Sequence, residues 1–75
     1  MKRVYVGQVK LISFDGRYFK DCDTAANAVM TAEWAKGILD SPAVTFPNGK
    51  NSHEVANIEL EKAEDTLIDY LRIVL

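Results

Sequence analysis

The chain has 75 residues, 48% of them hydrophobic and 27% charged, which is typical of a globular protein and allows only one core. Its single cysteine, Cys22, excludes an intramolecular disulfide and the four-ligand cysteine and histidine set of a structural zinc site. No stretch approaches the roughly 20 apolar residues that cross a bilayer, and no signal-peptide cleavage pattern follows the basic start, so we expect one soluble, cytoplasmic domain over residues 1–75.

Charge is divided unevenly along the chain, although the net charge is only −2. Residues 1–20 contain five lysines and arginines and one acid, Asp15, whereas residues 51–75 contain six acids against Lys62 and Arg72. The N-terminal end is therefore basic and the C-terminal end acidic, so the two ends suit partners of opposite charge.

Residues 3–21 read as a β-hairpin, because valine, isoleucine, tyrosine and phenylalanine dominate the segment. Asp15 and Gly16 supply the pair that a type I′ turn needs at its two positive-φ positions. A two-residue turn at this point pairs Ile12 with Phe19. The side expected to face the core carries Ile12, Phe14 and Phe19.

The alternation of apolar residues upstream of this turn changes at Gly7-Gln8. Val4 and Val6 share the parity of the core-facing residues, whereas Val9 and Leu11 do not. We expect a bulge or bend at Gly7-Gln8 that shifts the alternation.

A helix follows the hairpin. Asp23 or Thr24 is placed to cap it, and it is expected to run to Lys36 or Leu39, with Gly37 near its C-terminal end.

Two apolar stripes run along this helix. One is a narrow, alanine-rich stripe that would let the helix approach a sheet closely: Ala25, Ala28, Ala32, Ala35 and Leu39. The other is a row of large side chains at i, i+4 and i+8, Met30, Trp34 and Ile38, called here the Met-Trp ridge. A small sheet can cover one stripe more easily than both, so Trp34 is either core or exposed.

Residues 43–46 are a short strand candidate, followed by a turn over residues 46–50, in which Pro47 fixes φ. A second helix then begins, since Asn51 and Glu54 have the spacing of a capping box. Its apolar seam has heptad spacing and comprises Ala56, Leu60, Ala63, Leu67, Tyr70 and Val74. The competing interpretation makes residues 54–60 a strand.

Together these segments predict an α+β fold, in which a small antiparallel sheet, formed by the N-terminal hairpin and a short third strand, is packed by two helices. The order of a hairpin, an Asp-x-Asp-Thr segment and an alanine-rich helix resembles, in arrangement only, the N-terminal part of HicB-type antitoxins over residues 4–36. Residues 21–24 lack the glycine of that family's turn, so no family is assigned.

No residue set carries a catalytic signature. His53 is the only histidine and is expected to be a solvated residue in a first helical turn, and Cys22 to be a small buried hydrophobe. Asp21 and Asp23 are explained as a strand-end acid and a cap rather than metal ligands. We therefore expect no enzyme, no metal and no cofactor.

The leading functional hypothesis is a non-catalytic protein–protein interaction module, a small regulator or inhibitor of the kind that phages and mobile elements encode. The candidate partner-binding residues are the Met-Trp ridge and three acids of the second helix: Met30, Trp34, Ile38, Glu61, Glu64 and Asp65. The seam of the C-terminal helix is also a candidate surface for homo-oligomers.

The alternative hypothesis is nucleic-acid binding through the basic hairpin, where cations alternate with aromatic residues. Its candidate residues are Lys10, Arg17, Tyr18 and Lys20. The acidic isoelectric point, near 5.2, argues against it.

Overall fold

The computed structural model describes residues 1–73 and contains one four-stranded antiparallel sheet and two helices. The strands lie side by side in chain order: β1 (Lys2–Val6), β2 (Val9–Phe14), β3 (Arg17–Lys20) and β4 (Leu71–Arg72). Between β3 and β4 the chain forms α1 (Asp23–Leu39) and α2 (Ser52–Ile68). The predicted α+β class, with two helices packed on a small antiparallel sheet, is confirmed.

The turn between β2 and β3 follows the prediction. Asp15 and Gly16 have φ values of 55° and 74°, as a type I′ turn requires. Ile12 lies opposite Phe19, and both side chains are fully buried beneath the helices. The Asp-Gly pair therefore sets the register that builds the core.

Gly7-Gln8 is a complete turn rather than the expected bulge. Gly7 has φ 64° at the first central position, as in a type II′ turn, and Val6 lies directly opposite Val9. Residues 3–21 consequently form three strands instead of two. The predicted shift of the alternation is confirmed, but a turn produces it instead of a bulge or bend, because a tight turn changes the side-chain parity in the same way as an extra residue does.

The turn at Gly7-Gln8 places four aliphatic residues on the same side of the sheet: Val4, Val6, Val9 and Leu11. The helices cover the opposite side, which carries Ile12 and Phe19. The side without a helix is called here the open face. By pairing and alternation it carries Lys2, Val4, Val6, Val9, Leu11, Ser13, Tyr18, Lys20 and Arg72.

The first residue of α1 differs from the prediction by one position. Cys22, rather than Asp23 or Thr24, is the N-cap, and its side chain makes no capping hydrogen bond. Asp23 lies in the first turn, where its charge interacts favourably with the helix dipole. The helix continues to Leu39, so Gly37 lies inside it.

Residues 43–46 do not form the expected third strand. Within them only Thr45 forms an isolated bridge, to Asn51. The reason is distance, because α1 is about 25 Å long and carries the chain past the end of the sheet. The sheet gains its last strand from the C-terminal segment instead, where Leu71 lies opposite Phe19.

Helix α2 begins as predicted, since the side chain of Asn51 accepts a hydrogen bond from the backbone N–H of His53 at 2.8 Å. Residues 54–60 are helical, so the alternative that made them a strand was wrong.

The seam of α2 packs inside the chain. Ala56, Ala63 and Leu67 are buried, and Leu60 and Tyr70 are partly buried against the core. Val74 lies outside the described residues. Because alanines of both helices are buried, the two helices and the sheet approach closely around four large, fully buried side chains: Ile12, Phe19, Val29 and Leu67.

The molecule is elongated, measuring 48 × 19 × 17 Å. Its radius of gyration is 14.2 Å, against about 11 Å for a compact domain of this length. One end is the β1–β2 turn, where Tyr5, Val6 and Val9 are exposed. The other end is the exposed loop 40–51 between the helices.

Candidate interaction surface

The Met-Trp ridge lies on the solvent side of α1. Met30 is 51% exposed and Trp34 is 49% exposed, whereas Ile38 is half-buried. The buried residues of α1 are almost all alanines, which fill the space beneath the helix without needing the larger side chains. Two large apolar side chains one turn apart therefore remain in contact with water.

The solvent side of α1 carries little charge, because its charged residues are held on the sheet side. Glu33 lies 2.6 Å from the α-amino group of Met1. Lys36 lies 2.9 Å from Asp15. Beyond the first turn, the outer side of the helix is therefore apolar or neutral, which is unusual for a surface helix.

The acids proposed from the sequence lie on α2 and do not join the ridge. Glu61 and Asp65 are exposed and lie on the side of α2 opposite its buried seam. Since α1 and α2 pack through their buried sides, these acids and the ridge face opposite flanks of the helix pair. Glu64 points back to the sheet, where its carboxylate is 3.6 Å from Arg17 Nη2.

The basic residues of the hairpin are divided between the two faces of the sheet. Lys10 and Arg17 share the face of the helices, whereas Tyr18 and Lys20 belong to the open face. The guanidinium of Arg17 is 3.7 Å from Asp15 and also contacts Glu64. The four residues therefore do not form one surface, and Arg17 is engaged within the chain.

The open face collects cations that the sequence analysis did not group. Lys2, Lys20 and Arg72 lie on it with Tyr18, and none of its described residues is acidic. The sequence indicates this grouping through the change of side-chain parity at Gly7-Gln8. Once that dipeptide is known to be a turn, alternation along β1 and β2 gives the face of each residue.

The groups considered for catalysis are far apart. Cys22 precedes α1 and His53 lies in the first turn of α2, so the antiparallel helices place them at opposite ends, roughly 25 Å apart. The Nε2 atom of His53 is 2.6 Å from the carbonyl oxygen of Ser41. Over residues 1–73 there is no cluster of three histidine, cysteine or acidic side chains that could hold a metal ion.

An open groove of about 340 Å³ runs between the helices. Small and polar side chains of α1, including Thr24 and Thr31, line one wall, and Glu59, Lys62 and Thr66 of α2 line the other. The groove contains neither Cys22 nor His53.

Neither helix in the described part of the chain is long and apolar enough to cross a membrane. Comparison with protein-family models, with curated proteins and with solved structures finds no match. The functional argument therefore rests on the surface itself.

Proposed function

We propose that the chain is a non-catalytic protein–protein interaction module, a small cytoplasmic regulator or inhibitor that docks on a larger protein through the Met-Trp ridge. A phage or a mobile element is the kind of source that encodes such proteins.

The exposure of Met30 and Trp34 supports this proposal most strongly. Tryptophan and methionine are enriched in the cores of protein interfaces, and tryptophan is among the commonest residues with a large binding contribution. A solvent-facing helix side that lacks charge around such residues matches the centre of an interface better than an ordinary helix surface.

The chemistry of the ridge defines the partner's surface. A side chain as large as Trp34 needs an apolar pocket, and the neutral surroundings of Met30 fit a pocket rim without strong charge. Glu61 and Asp65, on the other flank, would act at a distance by attracting a basic partner and raising the association rate.

Site-specific photo-crosslinking tests the proposal. A photo-reactive residue at position 30 should capture a protein in host cells, and Trp34→Ala should reduce that capture at least tenfold. The matched control places the photo-reactive residue at Ile58, which is equally exposed but lies on α2. The purified captured protein should bind the wild-type chain and shift the Trp34 emission to the blue; capture that is insensitive to Trp34→Ala would contradict the proposal.

The open face supports a second candidate, the binding of single-stranded nucleic acid. Lys2, Lys20 and Arg72 share this face with Tyr18, and none of its described residues is acidic. A positive surface with an aromatic ring can follow a phosphate backbone and stack a base.

The two faces of the sheet provide a matched test of this second candidate. Lys20→Ala should weaken the retardation of a single strand at low salt, whereas Lys10→Ala, on the opposite face, should not. Equal effects of the two substitutions, or no retardation at low salt, would exclude the open face as the binding site.

A further inference from the structure

Strand β1 has an unpaired edge. In the described sheet it neighbours β2 alone, and it contains neither proline nor a bulge. The opposite edge is formed by β4, which comprises two of the residues that the structure describes. A regular five-residue edge strand can accept another strand by backbone hydrogen bonding.

The contacts of β2 show which backbone groups of β1 point outward. The carbonyl oxygen of Lys10 accepts a hydrogen bond from the N–H of Asp21 at 3.4 Å, so it points away from β1. Lys10 lies opposite Tyr5, and this pair is therefore a non-hydrogen-bonded pair of the β1–β2 ladder. By alternation, the N–H and C=O groups of Tyr5 and Arg3 face the free edge.

We propose that a second copy of this chain pairs with this edge, β1 against β1 and antiparallel, about a two-fold axis at Val4. The product is a continuous eight-stranded sheet with the helices of both copies on one side. This proposal is independent of the Met-Trp ridge, because it uses the backbone edge of the sheet.

The residue pattern of β1 selects this register. Centring the axis at Val4 places Arg3 opposite Tyr5 and Lys2 opposite Val6, so every cation meets an apolar or aromatic residue. Arg3 and Tyr5 then exchange hydrogen bonds in both halves of the ladder. The ring of Tyr5, which is 67% exposed in one chain, can lie against the aliphatic part of Arg3, whose Nε atom is 3.3 Å from Asp21.

Neighbouring registers are less favourable. An axis at Arg3 puts two arginines directly opposite each other, which destabilises an antiparallel pair. An axis at Tyr5 places Arg3 opposite Gly7, whose positive φ belongs to a turn. Gly7 therefore cannot continue the ladder, and only the two Tyr5 residues at the axis would exchange hydrogen bonds. The sequence of β1 therefore favours one two-fold arrangement.

The other surfaces agree with an assembly that stops at two copies. Over the described residues, the seam of α2, the surface expected to mediate self-association, packs against the core of its own chain, with Leu60 and Tyr70 partly buried. The short β4 edge offers little ladder for further strands, so the pairing closes as a two-fold dimer.

A proline substitution separates edge pairing from folding. Light scattering should give a wild-type mass that rises with concentration to twice the 8.4 kDa of one chain. Tyr5→Pro removes the aromatic ring and also an outward-pointing N–H from each copy; the loss of the two hydrogen bonds should make its dimer dissociation constant higher than that of Tyr5→Thr, which lacks only the ring, on the order of thirtyfold. The matched control Tyr5→Thr keeps that N–H and should remain the tighter dimer of the two; circular dichroism verifies that both variants are folded.

Cysteine crosslinking tests the register in a Cys22→Ser background. Across the axis, the two Val4 Cα atoms would lie about 4.5 Å apart as a non-hydrogen-bonded pair, within reach of a disulfide. The two Val6 Cα atoms would be roughly 14 Å apart, beyond that reach. Val4→Cys should therefore oxidise to a covalent dimer and Val6→Cys should not. A wild-type chain that stays monomeric at millimolar concentration, or equal crosslinking of both variants, would overturn the proposal.

Discussion

The Nζ atom of Lys36 lies 2.9 Å from the Asp15 carboxylate and joins the last turn of α1 to the β2–β3 turn. The hydrogen bond from Lys36, followed by its charge, lowers the pKa of Asp15 below its ordinary value of 3.8; desolvation opposes this effect, and the charge of Arg17 makes a smaller contribution that lowers the pKa further. The turn that sets the core register is thus held to a helix by an exposed ion pair.

Asp15→Asn tests this contact. Because the folded-state pKa is lowered, the contribution of the carboxylate to stability is present above the unfolded pKa, near 3.9, and is lost as the pH falls through the folded value. Asparagine tolerates the positive φ of this position. Wild type should have a slightly higher urea midpoint than Asp15→Asn at pH 6, and the two midpoints should converge once the pH falls below the lowered pKa of Asp15 in the folded chain. A difference that is the same at both pH values would show that the ion pair does not contribute.

The same substitution should have opposite effects at two glycines. Gly7→Ala forces a Cβ into a backbone with φ 64° and should cost about 1–3 kcal/mol of unfolding free energy. Gly37 lies inside α1 with no neighbouring side chain within 4 Å of the position that an alanine Cβ would take, so Gly37→Ala should add about 0.5–1 kcal/mol. Urea denaturation of the two variants measures both effects, and a shared sign would refute the assigned turn or the assigned helix.

The two helix N-caps should respond differently to truncation. Asn51→Ala removes the 2.8 Å capping hydrogen bond to His53 and should cost about 1 kcal/mol. Cys22→Ala removes no capping hydrogen bond, so its cost should be limited to lost side-chain packing, about 0.5 kcal/mol or less. Thermal unfolding monitored by far-ultraviolet circular dichroism compares them. A cost for Cys22→Ala as large as that for Asn51→Ala would contradict the cap assignments.

Trp34 should be accessible to a neutral quencher in the unbound chain. It is the only tryptophan and half of its surface is exposed, so acrylamide should quench its fluorescence strongly. Unfolding in urea should increase the quenching constant only modestly, by about a factor of two in line with the change in exposed surface. A quencher-protected tryptophan in the folded monomer would remove the basis of the Met-Trp ridge.

The parts of the fold that follow local rules could be predicted from the sequence. Asp15-Gly16 fixed a turn type, and that turn fixed the pairing of Ile12 with Phe19, because a two-residue loop leaves one register. The N-cap at Asn51 and the buried seam of α2 followed from spacing in the same way.

The remaining features depend on long-range geometry. A parity change at Gly7-Gln8 is compatible with a bulge or a turn, and only pairing with β2 distinguishes them. Residues 43–46 have strand-like composition but lie beyond the sheet. The exposure of Trp34 depends on which side of α1 the sheet covers. The placement of Lys10 and Lys20 on opposite faces of the sheet depends on the pairing of β2 with its two neighbouring strands.

The elongated outline has a hydrodynamic consequence. A particle measuring 48 × 19 × 17 Å diffuses more slowly than a sphere of equal mass. The monomer should therefore elute from a sizing column earlier than a compact protein of the same mass. Calibration against compact standards would therefore overestimate the number of chains in the particle. Scattering intensity, which depends on mass rather than on shape for particles this small, distinguishes an extended single chain from a pair.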